Sequence, residues 1–184
     1  MMKKWKILII SVLILVAFAL VFPSSSTYGS GSCEDMYAES LLSYENSGTP
    51  YVAAPIGEKC LIVFDGYYRQ EIPTDAPATI REGRTLVPMR FFLEAIGARL
   101  WWVPAERKVV VALPLSDEFS WDNVRMVSMW IGKSDVLVDD APLSVDVPPQ
   151  IIGGRTFVPL RFVGEVSGWI AEWDGDARIA IIHR

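Results

Sequence analysis

Short apolar runs bounded by turn residues dominate the chain from Cys60 onward. Cys60-Leu61-Ile62-Val63-Phe64 has the length and β-branched content of a strand. The pair Asp65-Gly66 follows, and both residues tolerate the positive φ of a tight hairpin turn, so a second strand is expected from Tyr67-Tyr68. Thr79-Ile80 and Arg84 to Val87 flank the turn Arg81-Glu82-Gly83. At Pro88 the spacing changes: Met89, Phe92, Leu93 and Ile96 recur as on a helix, and Gly97 supplies a left-handed stop. Proline suits the first helical position because its φ is already set and no N–H is lost. Arg99 to Trp102 and Lys108 to Leu113 then predict a strand pair.

The same succession returns further on. Gly83-Arg84-Thr85-Leu86-Val87-Pro88-Met89-Arg90-Phe91 reappears as Gly154-Arg155-Thr156-Phe157-Val158-Pro159-Leu160-Arg161-Phe162, 71 residues later. Around it, Val124 to Ile131, Asp135 to Val138, the alternating Leu143, Val145 and Val147, and Gln150 to Ile152 read as strands. Pro159 opens a second helix that Gly168 closes, and Ile170 to Trp173 with Arg178 to His183 make a last hairpin. The expectation is an α+β chain of two β-β-β-β-α-β-β repeats, with antiparallel sheets each packed on a short helix. The repeats fall at residues 60–113 and 124–184, joined by a polar connector over 114–123. Neither has much core alone, so the two are expected to pack as one domain.

The residues before Cys60 carry other signals. Three lysines among the first six residues precede an apolar run of about 15, which predicts a secretory leader over 1–29. The run is short of the about 20 residues of a comfortable membrane span, so a cleaved signal peptide is favoured over a retained signal anchor. Residues 30–59 read as a tether, with a short helix over Glu34 to Tyr44 and loop over Asn46 to Gly57. Cys33 and Cys60 are the two cysteines. In an exported chain they pair as a disulfide or stand as independent thiols, and two alone cannot fill a zinc shell. Taking the three lysines of the leader from the 17 basic residues leaves 14 against 22 acidic ones, a net charge of −8. That balance argues against nucleic acid as a partner.

The second unit carries a family resemblance. Val145-Asp146-Val147-Pro148-Pro149, Ile151-Ile152, Gly154 to Phe162, Glu165, Gly168 and Glu172-Trp173-Asp174 resemble the copper amine oxidase N-terminal, or stalk, domain family. The first unit is similar but looser, with Ala78 in place of the second proline and Trp101-Trp102-Val103 in place of Glu-Trp-Asp. The resemblance implies a small non-catalytic α+β module, found in exported bacterial proteins as well as in amine oxidases. It does not imply oxidase activity, which needs a tyrosine-derived quinone and three histidine ligands for copper. His183 is the only histidine.

Candidate chemistry is sparse. Arg90/Glu94 and Arg161/Glu165 sit at i, i+4 in both units and are expected to be structural ion pairs rather than a duplicated active site. His183, with no partner in sequence, is given a structural role. Asp139-Asp140 and Asp174-Gly175-Asp176 read as hairpin turns rather than calcium loops. Trp102 and Trp173 correspond across the units and are assigned to the core. Trp101, Trp121, Trp130 and Trp169 have no aromatic counterpart, so they are either extra core or exposed stacking residues. No cofactor or metal is expected. The chain thus reads as a secreted or cell-surface scaffold or binding module, without enzyme activity. The alternative is a carbohydrate- or peptidoglycan-binding module using those tryptophans. Partners would be a cell-wall polymer, another envelope protein or a second copy, with membrane contact only through an uncleaved leader.

Overall fold

The fold is built from three antiparallel sheets whose strands come from both halves of the chain. The computed structural model describes residues 32–116 and 119–184, and the expected leader over 1–29 lies outside them. Helices α1 (Cys33–Met36) and α2 (Ala38–Ser47) precede strands β1 (Tyr51–Pro55), β2 (Cys60–Phe64), β3 (Arg69–Pro73), β4 (Thr79–Arg81) and β5 (Arg84–Pro88). Helix α3 (Met89–Ala95), β6 (Arg99–Val103) and β7 (Lys108–Pro114) complete the first half. The second half runs β8 (Val124–Trp130), β9 (Asp135–Val138), β10 (Ala141–Ser144), β11 (Gln150–Ile152), β12 (Arg155–Pro159), α4 (Leu160–Ser167), β13 (Ile170–Asp174) and β14 (Ile179–His183).

Five strands, not four, therefore precede the helix in each half. In the first half the extra strand is β1, which falls inside the residues expected to be tether and loop. Its flanking Gly48, Pro50 and Gly57 signal turns, yet all five of its residues are buried between β14 and β2. Pro55 is tolerated because it closes the strand. The hairpin after β2 also differs from expectation. Asp65 turns its carboxylate onto the backbone N–H groups of Tyr67 and Tyr68, both at 2.8 Å, so those tyrosines belong to the turn and β3 begins at Arg69.

The sheets have the orders β13-β14-β1-β2-β3, β6-β7-β8-β9-β10 and β4-β5-β12-β11. Adding seven to the strand numbers of one half carries the first sheet onto the second. The third sheet maps onto itself, with Val87 of β5 opposite Val158 of β12, a pair 71 residues apart. Each half thus lends its last two strands to the other half's sheet. The expectation of a sheet and helix private to each repeat is corrected accordingly.

Both helices lie in one shared core. Met89, Phe92, Leu93 and Ile96 of the first helical segment and Leu160, Phe162, Val163 and Val166 of α4 pack with strand residues of all three sheets. Pro88 and Pro159 each end a strand and cap the following helix, with φ near −64° and −62° and extended ψ, so helical geometry starts one residue later than expected. Gly164 allows α4 to approach β13: a Cβ there would stand 2.9 Å from the Trp169 carbonyl oxygen. A second cluster lies on the outer face of the β1–β2–β14 region. There α2 buries Leu41, with Tyr37 and Tyr44, on Tyr51, Ala53, Ile62, Phe64, Ile179 and Ile181. The disulfide Cys33–Cys60 fastens this helical segment to β2. Among the described residues no helix is long and apolar enough to cross a membrane.

Candidate functional site

Two clefts open at the junctions where a strand hands over to a helix. The larger has a volume of about 530 Å3. The first turn of α3 gives Met89, Arg90 and Phe91, and edge strand β6 gives Leu100, Trp101 and Trp102. The β11–β12 hairpin adds Ile151, Gly154, Arg155 and Thr156, with Asp75 beside them. The smaller cleft, about 300 Å3, is formed by Leu160 and Arg161 of α4, Ala171, Glu172 and Trp173 of β13, and Ile80, Gly83, Arg84 and Thr85 of the β4–β5 hairpin, with Asp146. Most of these residues pair off at a spacing of 71. Leu100 stands where the smaller cleft has Ala171, and Trp101 where it has Glu172. Strand alternation turns Trp101 and Glu172 to the opposite face, where Trp101 meets Trp121 and Glu172 meets Tyr44, so each cleft presents one indole, Trp102 or Trp173.

An arginine from one half and an aspartate from the other close each cleft at one side. Arg155 Nε meets Asp75, and Arg84 Nε meets Asp146, each at 2.5 Å. All four side chains are about half exposed, so solvent screening leaves each pair only a small contribution to stability. Asp146 is held below the usual carboxylate range, chiefly by the hydrogen bond from Arg84, with that cation's charge, the Val147 N–H and Arg161 adding to it. This suits a fixed anion and not a proton donor at neutral pH.

The structural pairs expected from sequence do not form. Arg90, Glu94, Arg161 and Glu165 are exposed, and none makes an ion pair among the described residues. Side chains on a helix lean toward its N-terminus, so an arginine placed first leans away from a glutamate one turn later. Arg90 and Arg161 line the clefts instead. Trp102 and Trp173 are corrected as well: they are 44 % and 41 % exposed and wall the clefts, because β6 and β13 are edge strands with no neighbour to cover them.

The four unmatched tryptophans separate. Trp101 and Trp121, 41 % and 58 % exposed, have ring centroids 5.8 Å apart. Phe119 meets Trp121 edge-on, and the Arg99 guanidinium lies 4.0 Å from the Phe119 centroid. Trp130 is half-buried beneath the ammonium groups of Lys108 and Lys133. Trp169 is half-buried against the shared core, with Arg184 over its ring.

His183 has partners that sequence could not show. Its Nε2 lies 3.2 Å from Glu172, the Tyr44 hydroxyl donates to the same carboxylate, and the Tyr44 and His183 rings are 5.0 Å apart. Burial, then the contact with Glu172, raises the Tyr44 pKa and keeps its hydroxyl a donor. Burial also raises Tyr51, whose hydroxyl donates to Glu45 at 2.7 Å, and Glu45 in turn meets Arg69 at 3.1 Å. These contacts fix α2 on its sheet. The aspartates of the turns act on backbone: Asp174 accepts from Asp176 and Ala177, and Asp139 accepts from Met126. Glu71 lies near the two sulfurs of Cys33 and Cys60, but their bond to each other leaves no thiolate for a metal.

The class defined here is an intertwined antiparallel module with paired clefts at its strand-to-helix junctions. The family model described as "copper amine oxidase N-terminal domain" matches residues 67–182, and the chain belongs to that family of non-catalytic stalk domains. No curated protein and no solved structure matches the chain.

Proposed function

We propose that the chain is an exported, non-enzymatic stalk-type module that binds a partner at the cell surface and has no amine oxidase activity. The observation that carries this reading is the larger cleft. It is open, walled by the exposed Trp102 indole, and supplied with the ion-pair-free Arg90 and the hydroxyl of Thr156. Flat aromatic faces beside a few hydrogen-bonding groups suit binding by stacking. The 71-residue correspondence between the clefts supports two stalk-type repeats that exchange their last strands. Export is supported by the basic and apolar N-terminal sequence, and a disulfide fits an oxidising compartment.

The exposure of Trp102 favours a specific version, in which the ligand is a cell-wall polymer and a sugar ring stacks on that indole. Trp101, Trp121, Trp130 and Trp169, which the sequence leaves as either extra core or stacking residues, are not needed for it. The test is retention of the purified protein on isolated cell wall. Wild type should be retained, and Trp102→Ala should lose at least tenfold while keeping its fold by circular dichroism. Equal retention of both, or of neither, would overturn the glycan reading.

A further inference from the structure

The two five-stranded sheets correspond strand for strand, but their outer faces are treated differently. On the β13-β14-β1-β2-β3 sheet the outer face is covered by α2, whose Leu41 is fully buried. The corresponding face of the β6–β10 sheet carries no helix: β7 passes to β8 through residues 115–123, whose described members form none and cover only one end of the face, where Trp121 packs on Trp101 and Phe119 on Arg99. The strand register places Trp101, Val110, Ser128 and Leu137 in one row across that face, with Ala112 and Met126 to one side and Lys108 and Trp130 to the other. Trp101, Trp121 and Met126 are exposed there.

This surface has the shape of a trough. Val110 and Ser128 are small, half-buried and lie along its floor, with the fully buried Ala112 beyond them, while Trp101 on β6 and Leu137 on β9 stand at its sides. Three inter-strand steps separate those two strands, about 14 Å, which accommodates a helix about 10 Å across. Arg99 and Lys133 flank the trough with no acidic partner among the described residues. The covered face shows what such a surface accepts: a helix with a Leu/Tyr stripe, whose Glu45 takes a sheet arginine.

We propose that the outer face of the β6–β10 sheet docks an amphipathic helix of a partner protein, one with a leucine and tyrosine stripe flanked by carboxylates. The helix lies over Val110 and Ser128 as α2 lies over Ile181 and Ala53, and its carboxylates meet Arg99 and Lys133. This is separate from the cleft: the floor of the trough takes no part in lining it.

The probe is a helix-stapled peptide with the sequence of residues 37–48 of this chain, titrated into the full-length protein. Saturable binding is expected, with shifts of the Trp101 and Trp130 indole N–H signals. Ser128→Arg, which fills the trough, should weaken binding at least tenfold, and Lys133→Glu several-fold. Leu137→Lys serves as a second variant should Ser128→Arg fail to fold. No saturable binding at millimolar peptide, or binding indifferent to both trough variants, overturns the proposal. One other result does so as well: a dimer that Ser128→Arg dissociates would make a second copy the occupant.

Discussion

Replacing Cys33 and Cys60 together by alanine tests how the first sheet keeps its helical cover. The two cysteines are 27 residues apart in sequence. In the chain-entropy model, opening a loop of that size returns about 12 cal/mol/K to the unfolded ensemble, or about 3.5 kcal/mol at 25 °C. For a protein of this size that corresponds to a fall in Tm of roughly 7–14 °C. The native helix should not leave its sheet, because Leu41 stays buried and Tyr44, Glu45 and Tyr51 keep their contacts. Equilibrium urea unfolding, followed by tryptophan fluorescence, gives the loss directly. The slope should rise modestly as the unfolded chain expands. Amide exchange should show α1 and α2 opening more readily while β1 and β14 stay protected. A loss below about 1 kcal/mol would refute the loop-entropy reasoning. Loss of protection in β1 would refute the claim that packing alone keeps the helix in place.

Three further perturbations read other parts of the fold. Gly164→Ala should destabilise by about 1–2 kcal/mol in urea unfolding, because a Cβ 2.9 Å from a backbone oxygen costs about 1–3 kcal/mol while alanine returns up to about 1 kcal/mol of helix propensity; a neutral result would mean that β13 yields easily. Phe92→Ala in the shared core should lose about 3–5 kcal/mol, measured the same way, since the ring is fully buried. Asp146 has a folded-state pKa below its unfolded one, so its contribution is present above the unfolded value and vanishes as pH falls through the folded one. Its carboxyl carbon should titrate by NMR below the ordinary carboxylate range and move upward in Arg84→Ala; an unchanged midpoint would remove Arg84 as the cause.

Much of the fold was legible because its signals are local. The hairpin turn at Asp65-Gly66, the prolines at the strand-to-helix junctions and the closing Gly168 act within a few residues, so sequence places them to within a residue or two. Strand β1 was missed because Pro50 precedes and Pro55 ends a five-residue run that only tertiary pairing with β14 turns into a strand. The exchange of strands between halves has no local signal, since a repeated pattern is equally compatible with private sheets. The clefts were only partly visible. Their arginines and Trp102 and Trp173 stood out by repetition, but their exposure depends on which strands are edges. The bridges Arg84–Asp146 and Arg155–Asp75 join residues 62 and 80 positions apart, and nothing in the spacing announces them. The Tyr44–Glu172–His183 contact spans the whole molecule for the same reason.

The central claim is that the chain binds through the larger cleft at the Trp102 indole. The six tryptophans beyond the expected leader give separate indole N–H signals, so a titration with soluble cell-wall fragments reports where contact occurs. The account predicts a saturable shift at Trp102 and still signals at Trp130 and Trp169. Shifts confined to Trp101, Trp121, Trp130, Trp169 or Trp173, or none at saturating fragment, would contradict it.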